Sequence, residues 1–252
     1  MTAFKGTQLK TVGLNNAPRF RVNLSFLWSF GARLLDDKGR WEVNTPETVR
    51  AYQWLADLRH RHKVIPWGND FAGMGNIFLL GLSAMWIAFP FIRPDILARP
   101  ELDWDVTHFP KAPNGQRYTR ETSDGVGLLS NTKYVEQAWV FVKYICSVEG
   151  EKEFARLGRA VPSRRSVANS PEYLRPDTPQ HEENIVKALE YSRLQPITPN
   201  FQLAERAISR YEVPLYDDTI MMPPQKMLQQ LQDVLRQLDA TGQVPPDWEP
   251  KP

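Results

Sequence analysis

The side chains that could do chemistry are plentiful, but their spacing argues against catalysis. Carboxylates occur as neighbours in Asp36-Asp37, Glu182-Glu183 and Asp217-Asp218. Adjacent residues need not converge, whereas a glycosidase needs two carboxyls held across a cleft at a set separation. His60 and His62 stand two apart in a helical pattern, so they point to different sides and make no metal-ligand pair. His108 and His181 have no companion motif. Cys146 is the single cysteine, which gives neither a disulfide within the chain nor a thiolate cage. It lies on the apolar side of a helical pattern and reads as a buried, inert thiol. There is no Gly-x-Ser-x-Gly elbow, no phosphate-cradling Gly-rich loop and no dinucleotide fingerprint. No catalytic residue, metal or cofactor is expected. Binding chemistry remains: 8 Trp, 8 Tyr and 12 Phe supply flat apolar faces on which an apolar ligand surface can stack.

Helices and short strands must position those groups. A helix is expected over 20–35, with Phe26, Leu27, Phe30 and Leu34 on one side. Asp36-Asp37-Lys38-Gly39 makes a turn. Asn44 can cap the next helix, which has Pro46 early and carries Val49, Tyr52, Leu55 and Leu58 at helical spacing. It closes at His60-Arg61-His62, where cations suit the dipole. Strands are expected at 83–89, 104–109 and 125–130, between Pro- and Gly-bearing turns. Helices follow at 133–147, with the stripe Val135, Ala138, Trp139, Val142 and Ile145, and at 149–157. Pro162, Pro171, Pro176 and Pro179 mark an irregular connection. Helices resume at 182–191, 201–211 and 224–238, the last with Leu228, Leu231, Val234, Leu235 and Leu238 on one face. Residues 1–19 are polar without a clear period, and the tail holds Pro245, Pro246, Pro250 and Pro252. Strands interspersed with helices indicate an α/β class.

Composition narrows the function classes. With 252 residues, 42% hydrophobic and 24% charged, the chain is long enough to bury a large core in one domain or two. A net charge of +2 and a pI near 8.6 give no clustered basic face of the kind nucleic acid needs, and Arg164-Arg165 reads as solvated surface. The first ten residues lack the apolar core of a signal peptide. Residues 71–92 carry no charge, but Gly73, Gly75, Asn76, Gly81, Ser83 and Pro90 interrupt them, so a buried helix leading into a buried strand fits better than a membrane span.

One ordered series of motifs runs through the chain. It begins with Phe26-Leu27-Trp28-Ser29-Phe30-Gly31 and continues through Gly39-Arg40-Trp41 and Asn44-Thr45-Pro46-Glu47. Phe71-Ala72-Gly73, Ser83-Ala84-Met85-Trp86 and Trp104-Asp105-Val106 come next. Asp124-Gly125-Val126-Gly127, Glu136-Gln137-Ala138-Trp139 and Ala160-Val161-Pro162-Ser163 complete it. This order resembles the extracellular solute-binding proteins of sugar-type ABC importers, the maltose-binding-protein-like group. The resemblance implies a periplasmic-binding-protein-like (type II) α/β fold lacking most of the amino-terminal lobe. Residues 1–115 would be the first segment of the carboxy-terminal lobe. Residues 116–160 would hold the hinge crossing and a short excursion into the other lobe, and 161–252 the return, with a helical end and Pro-rich tail.

By the same resemblance, Trp86 and Phe91 stand where the family places a stacking aromatic, with Arg93 beside that turn able to donate two hydrogen bonds. Asp124 and Gly125 match a Gly-rich turn that touches ligand, Phe201 opens a cleft-facing helix, and Asn23 and Arg21 lie where the family has polar contacts. Each of these also has an ordinary reading: core packing for the rings, a turn for Asp124, a surface ion pair for Arg93. The implied function is solute binding, a sugar or oligosaccharide, for delivery to membrane permease subunits of an ABC importer. The implied location is periplasmic or extracellular and lipid-anchored. The alternative is a non-transport interaction protein that self-associates through an uncovered cleft face.

Overall fold

The polar lead-in, which has no clear period in the sequence, forms strands. In the computed structural model, which describes residues 2–5, 8–16, 19–67, 70–175 and 179–251, β1 (Ala3–Lys5) and β2 (Gln8–Asn15) pair antiparallel. Strand β2 then pairs in parallel with residues far along the chain, Val12 opposite Ser83 and Leu14 opposite Met85. Local periodicity is silent about such a strand, because its partner is remote and the side-chain period of two needs a buried face to become visible. Pro176 and Pro252 lie outside the described residues.

The elements continue with α1 (Phe20–Ser29), the hairpin β3 (Leu34–Leu35) and β4 (Trp41–Glu42), α2 (Pro46–His60) and β5 (Ser83–Trp86). After a 3-10 turn at Pro90–Ile92 come α3 (Arg93–Leu97), β6 (Thr119–Glu121), α4 (Val135–Ile145), α5 (Val148–Leu157), α6 (Arg165–Ala168) and α7 (Glu183–Lys187). A second 3-10 turn at Ala188–Tyr191 precedes β7 (Ser192–Leu194), α8 (Phe201–Tyr216) and α9 (Pro224–Thr241). The first helix thus stops at Ser29 rather than at 35. Gly31 takes φ of +99° and Leu34 φ of +69°, which breaks the helix and turns Leu34–Leu35 into a strand. Asp36 closes the hairpin, its Oδ1 accepting from the backbone N–H groups of Lys38 at 2.8 Å and Arg40 at 2.9 Å. The cap of α2 is Thr45, whose Oγ1 accepts from Thr48 N, and not Asn44, which holds Gln225 instead. Neither 104–109 nor 125–130 enters a ladder: among the described residues no strand lies alongside to pair with them.

The chain packs as two compact units. One comprises Met1–Ile87, Pro110–Arg120 and Ser192–Pro252, the other Ala88–Phe109 and Glu121–Tyr191. Within the second unit Arg93 is inserted beside Tyr173 and Glu182, which joins residues 88–109 to 121–191.

In the first unit α1, α2, α8 and α9 bury one shared core. Leu24, Leu27, Ala51, Leu55, Ala204, Ala207, Leu228, Leu231, Leu235 and Leu238 are all inside. The helical stripe of α9 is therefore met as expected, and the helix runs one turn further to Thr241, capped by Gly242 in the left-handed region. Gln232 ties α9 to β4. Its Oε1 accepts from Val43 N at 2.8 Å and its Nε2 donates to Trp41 O at 2.8 Å.

The second unit is built around Ala155, Val167 and Tyr173, with Val161, Leu174 and Val186 against them. Gly150 lets α5 approach the end of α4: a Cβ there would sit 2.1 Å from Tyr144 O. Helix α4 buries no residue, and Val135, Trp139, Val140, Phe141 and Tyr144 are all exposed. Of the stripe expected to be core, Val135 and Trp139 are exposed and Ala138, Val142 and Ile145 are half-buried, and Cys146 is exposed rather than buried. Among the described residues no helix is long and apolar enough to cross a membrane.

Candidate functional site

The sequence-derived site residues divide between the units. Asn23, Trp86 and Phe201 belong to the first, and Phe91, Arg93, Asp124 and Gly125 to the second. In the second unit Phe91 projects from the 3-10 turn, 53% exposed, its ring stacked on Phe89 at 6.3 Å and 11°. Two residues later Arg93 points the other way and is only 2% exposed. Its guanidinium ion-pairs with buried Glu182, donates from both Nη atoms to Tyr173 O at 3.3 Å and lies over the Tyr173 ring at 5.5 Å. Burial pushes the Arg93 pKa down and the Glu182 pKa up, and in each case burial outweighs the partner's charge. Such a pair fixes geometry more than it adds stability. Asp124 and Gly125 are exposed and outside regular structure.

In the first unit Trp86 ends β5, half-buried against Phe78 at 5.7 Å. Asn23 is completely enclosed. Its Nδ2 donates to Glu212 Oε1 at 2.9 Å and faces Tyr216 Oη at 3.4 Å, and Tyr52 O–H donates to the same carboxylate oxygen at 2.7 Å. Burial pushes the Glu212 carboxyl up to about 7, against the lowering effect of the Asn23 and Tyr52 hydrogen bonds. Asn23 is thus occupied in the core.

At the start of α8, Phe201 is half-buried, stacked on Trp41 at 6.4 Å with 27° between planes. The Arg21 guanidinium lies 5.9 Å from its ring centroid and clasps Glu205 through Nε and Nη2. Strand β6 is held to α1 by two hydroxyls. Ser25 Oγ accepts from Arg120 N at 3.0 Å and Ser29 Oγ accepts from Tyr118 N at 2.9 Å. Arg120 Nη1 reaches Gln195 Oε1 at 3.2 Å, and on neighbouring β7 the Arg193 guanidinium sits 3.5 Å from the Tyr118 ring centroid. Sequence reading passed over Tyr118, Arg120, Arg193 and Glu205. The i, i+4 pair Ser25 and Ser29 and the alternation Tyr118-x-Arg120 are the signals that could have found them, though their pairing across the fold is not local.

The adjacent carboxylates are already engaged. Asp36 holds its turn, Glu182 holds Arg93, and Asp218 accepts from Arg59 and meets His60. Among the described residues no group of three or more His, Cys, Asp or Glu is placed to hold a metal.

The α/β frame presents partly exposed rings and guanidiniums at the ends of its elements. The family model for bacterial extracellular solute-binding protein matches residues 20–152, just over half of the chain, and the chain belongs to that family. Its fold is that of the periplasmic-binding-protein-like (type II) α/β proteins. It is similar to the ABC substrate-binding protein Lmo0181 from Listeria monocytogenes in complex with cycloalternan, at 19% identity and a TM-score of 0.81, covering 92% of this chain and 59% of that one. The maltose/maltodextrin-binding domain MalE from Bdellovibrio bacteriovorus bound to maltotriose matches at 20% identity and a TM-score of 0.79, covering 95% and 63%. A relative from Brucella abortus (strain 2308), named as a binding protein, is 24% identical over 151 residues. The match covers 59% of this chain and 37% of the relative's length. Family and fold are those of binding proteins rather than enzymes.

Proposed function

We propose that the chain binds a sugar or oligosaccharide as the solute-binding component of an ABC importer, in the periplasm or outside the cell. The observation that carries this is the set of rings left partly open to solvent at element ends: Phe91 on its turn, Trp86 at the end of β5 and Phe201 at the start of α8. Aromatic faces so placed are costly to leave wet unless something stacks on them, and sugar C–H faces fit. Solved proteins of similar fold hold cycloalternan and maltotriose, which supports the ligand class. Asp124 and Gly125 supply a carboxylate and an approachable backbone for hydroxyls. Asn23 and Arg93 serve as framework in this reading, because their side chains are buried and face partners inside. The lobe correspondence is also proposed: residues 1–115 and 161–252 as carboxy-terminal-lobe segments and 116–160 as the excursion into the other. In this role the liganded protein delivers its solute to permease subunits of the importer.

The test is a thermal melt of this chain against mono- and oligosaccharides, with Phe91→Ala alongside. A saccharide that raises Tm, with the rise lost in Phe91→Ala, supports the reading. A cooperative melt unmoved by the whole panel refutes it. A second reading, an interaction or self-associating protein, is favoured by α4, whose Phe141 is 61% exposed beside exposed Tyr144 and Val140. Apolar surface of this kind marks association sites. Sedimentation decides it: a monomer that binds sugar excludes self-association as the main role.

A further inference from the structure

Three guanidiniums from remote parts of the sequence gather at one end of the first unit, and sugar stacking alone gives them no task. Arg21 lies in the first turn of α1, Arg120 in β6 and Arg193 in β7, and β6 and β7 form one two-stranded sheet. Two rings underlie the group, Tyr118 beneath Arg193 and Phe201 beneath Arg21. Glu205 is one carboxylate in contact with the cluster, and it engages Arg21 through two hydrogen bonds. Even when Glu121, next to Arg120 in β6, is counted, guanidiniums outnumber carboxylates. Arg193 is exposed, and among the described residues no carboxylate lies within ion-pair distance of it.

We infer that the solute is anionic, a saccharide bearing a carboxylate or a phosphate, and that Arg120 and Arg193 receive the charged group while Phe201 and Tyr118 border the sugar. This rests on the solute-binding reading above and narrows its ligand class. The physical reason is the fork of guanidinium donors, which matches a planar carboxylate or a phosphate edge with two parallel hydrogen bonds. A neutral hydroxyl uses one donor at a time and leaves the surplus charge uncompensated. Like charges also meet here: the Arg120 pKa is held below its usual value, first by burial and then by the charge of Arg21, against the opposing charge of Glu205. An arriving anion relieves that repulsion. Gln195 keeps one Arg120 donor aimed, and the Ser25 hydroxyl holds its backbone, so the fork is positioned before ligand arrives.

The experiment is calorimetric titration of the 252-residue chain with digalacturonate, glucose 1-phosphate and neutral maltotriose. Arg120→Gln and Arg193→Gln are run beside the parent, and a melt of each variant confirms folding. The expected result is that one anionic sugar binds about tenfold or more tighter than maltotriose, the scale of one charge-assisted contact. That preference should shrink in either folded variant and weaken as NaCl rises. Which anion binds separates a carboxylate source from a phosphate source. Maltotriose binding as tightly as both anionic sugars, with no salt dependence, overturns this inference and leaves the sugar-binding reading standing. Binding of none of the three overturns the inference and counts against the sugar-binding reading as well.

Discussion

Glu212 is a carboxyl with no cation beside it, sealed among α1, α2 and α8, and it should make the protein less stable as pH rises through neutrality. The groups facing it are Asn23 from α1, Tyr52 from α2 and Tyr216 one turn along α8. None carries positive charge, and burial raises the pKa of both tyrosines well above 10. Only Oε1 is hydrogen-bonded, and Oε2 has no partner, as is also true of Asn23 Oδ1. A protonated Oε2 becomes a donor in a place short of donors, whereas an ionised one is an orphaned charge. The carboxyl moves from 4.5 to about 7 on folding. A raised folded pKa means that the folded state holds the proton more tightly. The stabilisation is therefore fully present below about pH 4.5 and is lost as pH rises through 7. The shift corresponds to about 3 kcal/mol, or roughly 6–12 °C in the Tm of the unit containing Glu212. The assay is a series of thermal or urea melts from pH 5 to 9 on the parent and on Glu212→Gln. The amide keeps an acceptor for Asn23 and Tyr52 and never ionises, so the variant should overtake the parent above about pH 7 and lose most of the slope. Parallel pH profiles for the two proteins would refute the reasoning, since the slope would then arise elsewhere.

Other expectations follow from the packing. Arg93→Met should destabilise the second unit by about 3–5 kcal/mol in urea unfolding, because it leaves Glu182 buried and unpaired; adding Glu182→Leu should restore most of the loss, and no recovery would mean the pair is not the cause. Gln232→Ala strips partners from Val43 N and Trp41 O and should cost about 2–3 kcal/mol, with protection from amide exchange falling first at β4. Gly150→Ala places a methyl against Tyr144 O and should cost about 1–3 kcal/mol through forced displacement of α4, measured by denaturant midpoint.

Elements whose signals are local were legible in the sequence. The stripe of α9 is buried on the face its leucines mark. Asp36 and Gly39 turn the hairpin, and Pro46 sits in the first turn of α2. What escaped was set by partners far away. Strand β2 exists because β5 lies beside it, and 125–130, as apolar as a strand, stays out of any ladder for want of a neighbour. The same logic governs side chains. Arg93 and Asn23 look like surface donors from their types alone, yet each is enclosed by residues at least 80 positions away, Tyr173 for Arg93 and Glu212 for Asn23. Polarity predicts exposure only until a distant chain segment supplies a buried partner, as Glu182 does for Arg93. The converse holds for α4, where hydrophobicity predicted burial and Cys146 with it, but the described residues cover that face only in part and leave Cys146 exposed. Burial is a property of what arrives opposite a side chain, so a binding protein's site, which is by nature the surface awaiting an arrival, is the part a sequence marks least.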